Sequence, residues 1–113
     1  MKVREIASVL ESLAPPSLAA EWDNVGLLIG RADDRVRGPL LLCIDLTGSV
    51  LDEAKDLHAG MVMAYHPVIF KPLARLTDEG APVALEAARR KLAVYSMHTA
   101  LDAAPGGTND VLA

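Results

Sequence analysis

Apolar side chains recur at helical spacing over the first dozen residues. They stand three to four positions apart, at Val3, Ile6, Ala7, Leu10 and Leu13. This spacing predicts an amphipathic α-helix with one side facing a core. Pro15 and Pro16 follow, and because proline disrupts helical hydrogen bonding, we expect the helix to end before them.

Four later apolar runs predict β-strands over residues 25–29, 40–46, 61–65 and 92–97. The run over 40–46 is apolar except for Asp45 near its end, which favours a strand buried on both faces. After it, one helical face carries Val50, Leu51, Ala54, Leu57 and His58. Ser49 stands three residues before Asp52, a spacing typical of a capping box.

A third helix is predicted between the last two strands. Pro82 suits a first helical turn, and the basic residues 89–91 suit a helix C-terminus. The alternation of elements predicts an α/β fold, a layered domain with a mainly parallel sheet flanked by helices. The strand-helix-strand unit over 40–65 implies a right-handed parallel crossover. Thr108 or Asn109 resembles the N-cap of one further helix.

Length and composition indicate a single domain over residues 1–113. Hydrophobic residues make up 51% of the chain and charged residues 23%, which is typical of a globular core. The net charge of -4 provides no basic surface, so we expect no nucleic-acid partner. No apolar run approaches the about 20 residues that span a bilayer, so we expect no membrane partner. A domain this short buries a smaller share of its surface than a larger domain does, which favours a homo-oligomer.

The single cysteine, Cys43, cannot form an internal disulfide. This fits a reducing compartment, and since the N-terminus lacks the layout of a signal peptide, we expect a cytoplasmic protein. Because Cys43 lies inside an apolar run, we expect it to pack in the core rather than to act as a nucleophile.

Polar residues follow three of the predicted strands. Asp45 closes the second strand, Tyr65 and His66 close the third, and His98 and Asp102 follow the fourth. Because ligands of parallel sheets gather beyond the carboxyl ends of the strands, these side chains are expected to converge on one crevice. Imidazole and carboxylate together favour a divalent cation such as zinc, manganese or iron.

Each of these residues also has a structural interpretation. His66 would then be a hydrogen-bonded residue at a strand end, Asp45 the cap of the next helix, and Asp102 a turn aspartate. His58 lies near a helix C-terminus, where the helix dipole or packing explains it. Trp22-Asp23-Asn24 would be a surface turn with a docked indole.

Several motifs, in order, resemble those of one known family. They are Glu21 to Gly30 (EWDNVGLLIG), Ile44 to Thr47 (IDLT), His66 to Leu73 (HPVIFKPL), Ala93 to Asp102 (AVYSMHTALD) and Gly106 to Asp110 (GGTND). Together they cover nearly the whole chain. On these motifs the sequence is identified as the N-terminal half of a Nif-three-like protein, a family often labelled GTP cyclohydrolase type two.

The resemblance implies a dinuclear metal site within a toroidal hexamer. Family members use a His-His pair after the third strand, an aspartate that closes the His-Thr-x-Leu-Asp segment, and a His-x-x-x-Glu from the C-terminal half. The second histidine of the pair matches His66 and the aspartate matches Asp102. His98 matches a position close to the metals or facing the substrate, and the family label suggests a nucleotide substrate.

The sequence departs from the family pattern at two points. Tyr65 replaces the first histidine of the pair, and a phenol must lose a proton near pH about 10 before it coordinates well. Tyr65 would therefore be a weak third metal ligand, or would only pack its ring with the hydroxyl toward the crevice, and we expect one of the two metals to be weak or absent. No His-x-x-x-Glu follows Asp102, whereas catalytic sites generally need about three protein ligands.

Two hypotheses follow for the function. The first is a metal-dependent hydrolase in which His66 and Asp102 hold the metal, and Asp45 or His98 orients water or relays protons. The second is a non-catalytic metal-binding or assembly half-domain with an incomplete site. The sequence contains no glycine-rich phosphate-binding loop, so it does not support GTP as the substrate.

Overall fold

The computed structural model describes residues 1–112, except for the side chains of residues 110 and 112. The helices are α1 (Val3–Leu13), α2 (Gly48–Asp56), α3 (Pro82–Arg89), α4 (His98–Ala103) and α5 (Thr108–Leu112), with a short 3-10 helix at Pro16–Leu18. The strands are β1 (Gly26–Ile29), β2 (Leu40–Cys43), β3 (Met61–Ala64) and β4 (Ala93–Ser96). None of the described helices is long and apolar enough to cross a bilayer.

The four strands form one mixed sheet in the order β1-β4-β3-β2. β2, β3 and β4 are parallel, and β1 pairs with β4 in the antiparallel direction. The predicted α/β fold with a mainly parallel sheet is confirmed. The three parallel strands place their carboxyl ends at the same edge of the sheet. The polar residues that follow these strands in the sequence, from Asp45 to Asp102, begin at this edge.

Alternate residues of the central strands supply two cores, one on each face of the sheet. Met61 and Tyr95 pack against the apolar side of α1, namely Val3, Ala7 and Leu10. On the other face, Val62, Ala64 and Val94 pack with buried residues of α2 and α3. The sheet is therefore covered by helices on both sides, as a parallel sheet requires.

The expectation that residues 40–46 are buried on both faces is wrong. β2 ends at Cys43 and is the outermost strand, so one of its long sides has no neighbour in the described sheet. Leu41 and Cys43 pack against the second core, whereas Leu42 is 62% exposed and Ile44 is 63% exposed. The apolar composition of the run does not distinguish burial under a helix from exposure at the sheet edge.

The predicted cap of α2 is also wrong. The N-cap is Thr47, whose hydroxyl accepts a hydrogen bond from the backbone N–H of Val50. Ser49 lies inside the helix, so it does not cap it. Asp45, which also precedes this helix, instead contacts His66.

Candidate metal and catalytic site

The continuing hydrogen bonds of the sheet position the residues beyond β3 and β4. The N–H of Tyr65 donates to the carbonyl of Cys43 (2.9 Å), and the N–H of His66 donates to that of Ile44 (3.0 Å). The carbonyl of Tyr65 accepts hydrogen bonds from the His98 N–H (3.1 Å) and the Ser96 hydroxyl (2.9 Å). The strand ends predicted to carry the site are therefore fixed to one another through their backbones.

Three rings form a compact cluster at this edge of the sheet. The ring centroids of Tyr65 and His66 lie 5.0 Å apart, and each lies 5.4 Å from the ring of His98. Tyr65 and His98 meet edge to face, as do the two imidazoles. The structure thus brings together His66 and His98, as the sequence predicted.

Asp45 pairs with His66. The Nδ1 atom of His66 lies 2.7 Å from Oδ1 of Asp45, and both side chains are about half exposed. Asp45 therefore does not cap α2. A carboxylate that accepts a hydrogen bond from one imidazole nitrogen fixes the ring and leaves the other nitrogen, Nε2, as a donor of electrons. No described residue hydrogen-bonds Nε2 of His66.

Tyr65 donates a hydrogen bond to Asp102. Its hydroxyl lies 2.5 Å from Oδ1 of Asp102, which is in α4 rather than in the turn considered from the sequence. This hydrogen bond, burial and the negative charges of Asp102 and Asp23 raise the pKa of Tyr65 to about 12. Because a phenolate is so disfavoured, Tyr65 is a poor metal ligand in this arrangement.

Asp23 is hydrogen-bonded to His98, a contact that the sequence did not predict. Its side chain has no exposed surface, and its Oδ1 lies 2.9 Å from Nδ1 of His98. The interpretation of Trp22-Asp23-Asn24 as a surface turn is therefore wrong for Asp23. Burial raises the pKa of Asp23, but hydrogen bonds from His98, Thr99 and Asn24 outweigh it and lower the pKa to about 2.

Trp22 and Phe70 form an exposed aromatic pair beside this cluster. The Trp22 ring lies 6.0 Å from that of Phe70 and 6.2 Å from that of His98, edge to face in both cases. Trp22 is 65% exposed and Phe70 is 44% exposed. The Asn24 side chain ties the two loops together, because its Nδ2 donates to the carbonyl of Ile69 at 2.7 Å.

A family model and several relatives match this arrangement of fold and motifs. The model of the Duf34/NIF3 family (NGG1p interacting factor 3) matches residues 1–113. The chain belongs to this family. Its fold is similar to that of a solved hypothetical protein from Staphylococcus aureus, with a TM-score of 0.92 and 35% identity over 99% of this chain and 37% of that one.

Curated members of the NIF3 family are similar in sequence. NIF3-like protein 1 of Drosophila melanogaster is 42% identical over 98% of this chain and 39% of its own length. The GTP cyclohydrolase 1 type 2 homolog of Halalkalibacterium halodurans is 37% identical over 96% of this chain and 29% of its own length. The chain therefore spans well under half the length of these relatives.

The donor set of this NIF3 chain fits a metal only in part. His66 offers one imidazole nitrogen already oriented by a carboxylate, and Asp102 offers a carboxylate oxygen that is not bonded to Tyr65. Among the side chains that the structure describes, no group of three or more His, Cys, Asp or Glu is placed to hold one ion. The chemistry of the donors suits a divalent cation, while their number is below that of a complete site.

Proposed function

We propose that this chain contributes part of a divalent-metal site in a metal-dependent hydrolase of the NIF3 family. His66 and Asp102 would hold the cation, with zinc, manganese or iron as suitable ions for nitrogen and oxygen ligands. When bound, such a cation polarises the bond to be cleaved and lowers the pKa of water. The pairing of His66 with Asp45 is the observation that carries the proposal, because metal-binding imidazoles nearly always donate their other N–H to an oxygen.

Asp45 and His98 have separate tasks in this proposal. Asp45 orients His66, and His98 lies close enough to the rings of Tyr65 and His66 to face a substrate held between them. As a neutral imidazole, His98 can take a proton from water or from the reacting group. Further metal ligands would come from outside this segment, since the relatives that it matches are more than twice as long.

The proposed substrate is a small molecule with a planar base, such as a nucleotide. The support for this is the exposed pair of Trp22 and Phe70 beside His98, since bases stack well on exposed aromatic rings. The name of the Halalkalibacterium halodurans relative points to the same class of compound for that protein. Trp22 is the single tryptophan of the chain, so quenching of its fluorescence by nucleotides reports binding directly.

A specific observation also favours a second candidate, a non-catalytic metal-binding or assembly half-domain. The Tyr65 hydroxyl occupies one oxygen of Asp102, and the raised pKa of Tyr65 opposes coordination by the phenol. A chain with two available ligands would bind a cation weakly and would serve mainly to position it for other residues.

The test is to count bound metal in the purified protein after loading with manganese, zinc or iron. His66→Ala should lower the metal content by at least about tenfold at subsaturating metal, because the best-oriented ligand is removed. His58→Asn is the matched control, since His58 lies just beyond α2 with a positive φ of 56° that asparagine tolerates. Equal metal content in wild type and His66→Ala would contradict the proposal.

A further inference from the structure

The Asp23 carboxylate accepts four hydrogen bonds in a fully buried position. Its Oδ1 receives one from Nδ1 of His98 (2.9 Å) and one from the backbone N–H of Asn24 (2.8 Å). Its Oδ2 receives one from the backbone N–H of Thr99 (3.1 Å) and one from the Thr99 hydroxyl (2.5 Å). All the donors come from the two chain segments that meet at this point.

The donors determine where the hydrogens lie. An ionised carboxylate can only accept, so Nδ1 of His98 has to carry a hydrogen. The Thr99 oxygen accepts from the N–H of Ala20 at 2.9 Å, which leaves its own hydrogen for Asp23. Every partner of Asp23 is therefore a donor, and the network has one consistent arrangement of hydrogens.

We infer that Asp23 is a positioning residue that holds His98 in the Nδ1–H tautomer and keeps its Nε2 atom free to accept a hydrogen bond from a ligand in the crevice. No described residue hydrogen-bonds that Nε2. The ligand group that it recognises is a hydrogen donor, such as water, a hydroxyl or an amine. In the other tautomer, with the hydrogen on Nε2, the lone pair of Nδ1 would face the lone pairs of the carboxylate and repel them.

The backbone at His98 supports this role for Asp23. His98 has a φ of +28°, which L-residues seldom adopt and which therefore has to be held by its surroundings. The two hydrogen bonds from Thr99 to Asp23 fix the residue that directly follows His98. Asp23 thus constrains both the backbone and the ring of the same histidine.

The inference rests on the proposed function only for the identity of the ligand. The tautomer itself depends on hydrogen bonds within the chain and requires no cation. It is therefore measured in metal-free protein, so a negative result here leaves the metal proposal untouched, and failure to bind metal leaves this inference untouched.

The experiment is a long-range ¹H–¹⁵N correlation spectrum of the histidine rings in metal-free protein at about pH 8, above the usual imidazole pKa. The chain has three histidines, and single substitutions of His58 and His66 by asparagine assign the resonances. We expect the wild-type spectrum to show His98 with its hydrogen on Nδ1. A hydrogen on Nε2, or a mixture of the two forms, would overturn the inference.

The variant Asp23→Ala tests the cause. Alanine removes both acceptor oxygens, so no carboxylate then favours a hydrogen on Nδ1 of His98. At least part of the hydrogen should then be found on Nε2. If His98 keeps only the Nδ1–H form in a folded Asp23→Ala protein, Asp23 does not determine the tautomer.

Asn24→Ala is the matched control in the same loop. It removes the hydrogen bond to the Ile69 carbonyl and leaves the backbone N–H that Asp23 accepts. The tautomer of His98 should stay unchanged, whereas a change there would mean that general loosening of the loop is responsible. Should Asp23→Ala fail to fold, the wild-type spectrum still decides the inference.

Discussion

At the scale of single residues, two imidazoles in this chain each lie against a carboxylate. His66 is paired with the exposed Asp45, and His98 with the buried Asp23. The exposed pair leaves its histidine accessible for a cation, whereas the buried pair holds its histidine rigidly in one orientation. Tyr65 stands between these pairs, touching both rings and bonding Asp102.

The titration of Tyr65 provides a prediction at this scale. In wild type, both tyrosines should ionise at a pH of about 12, Tyr65 because of its hydrogen bond to Asp102 and Tyr95 because of burial. Asp102→Ala should move one of the two transitions back toward pH 10, the ordinary value of a phenol. The phenolate absorbance measures both transitions during an alkaline titration.

The same pKa shift sets a dependence of stability on pH. A pKa that is raised in the folded state contributes stability that is fully present below the unfolded value of 10 and is lost as the pH rises toward 12. The free energy of unfolding of Asp102→Ala should therefore fall less steeply than that of wild type as the pH rises from 10 toward 12. Asp33→Ala is the control, because Asp33 lies in a surface ion pair with Arg4. An unchanged titration of Tyr65 in Asp102→Ala would show that this hydrogen bond is absent in solution.

The sequence predicted that the two histidines lie close together, but it did not predict which carboxylate pairs with each of them. Position after the strands was enough to place His66 and His98 together, because parallel strands end at one edge. The pairing of His66 with Asp45 spans 21 residues and that of His98 with Asp23 spans 75 residues. No local pattern encodes such contacts, and Asp23 in particular lies in a segment without helical or strand periodicity.

At the scale of elements, close approach of backbones at the amino ends of β2 and β3 restricts two glycines. Gly38 precedes β2 with a φ of +84°, and a Cβ atom there would lie 2.1 Å from the His58 carbonyl oxygen. Gly60 precedes β3, and a Cβ atom there would lie 2.6 Å from the Arg37 carbonyl oxygen. The loops at this end of the sheet therefore depend on the absence of side chains.

Gly38→Ala should destabilise the fold. The left-handed backbone alone costs about 1–2 kcal/mol for an L-residue, and the contact with His58 adds to this cost. Gly48→Ala is the matched control, because Gly48 lies in α2 with open space around it and should gain up to about 1 kcal/mol. The free energy of unfolding in urea, measured for both variants, distinguishes the two effects, and equal changes would contradict the account of this junction.

The elements themselves were predictable where periodicity was strong. The apolar spacing over the first dozen residues predicted α1, and Pro82 marked the start of α3. The helix α4 was not predicted, since six residues are too short for a helical pattern and His98 opens it with an unusual backbone. The exposed edge of β2 was missed because burial depends on neighbouring elements rather than on the strand's own composition.

At the scale of the whole molecule, the outermost strand leaves an apolar surface open. Leu42 and Ile44 both expose more than three-fifths of their surface on this side of the sheet. Exposed apolar edge strands are prone to pair with another chain, which supports the proposed homo-oligomer. Cys43 lies between them, and burial raises the pKa of its thiol, so its reactivity should be low.

Leu42→Thr combined with Ile44→Thr should shift the protein toward monomer while keeping the strand propensity of β-branched residues. Sedimentation velocity over a range of concentrations measures the change. Leu76→Thr is the control, as Leu76 is similarly exposed (52%) in the loop before α3. A wild type that stays monomeric at every concentration would contradict the oligomer proposal.

The most direct test of the central claim is a crystal structure of the protein grown with zinc, with anomalous data collected at the zinc edge. We predict a peak about 2.0–2.2 Å from Nε2 of His66 and from a carboxylate oxygen of Asp102, as zinc ligands require. A zinc peak bound elsewhere, with His66 and Asp102 both vacant, would contradict the proposed site.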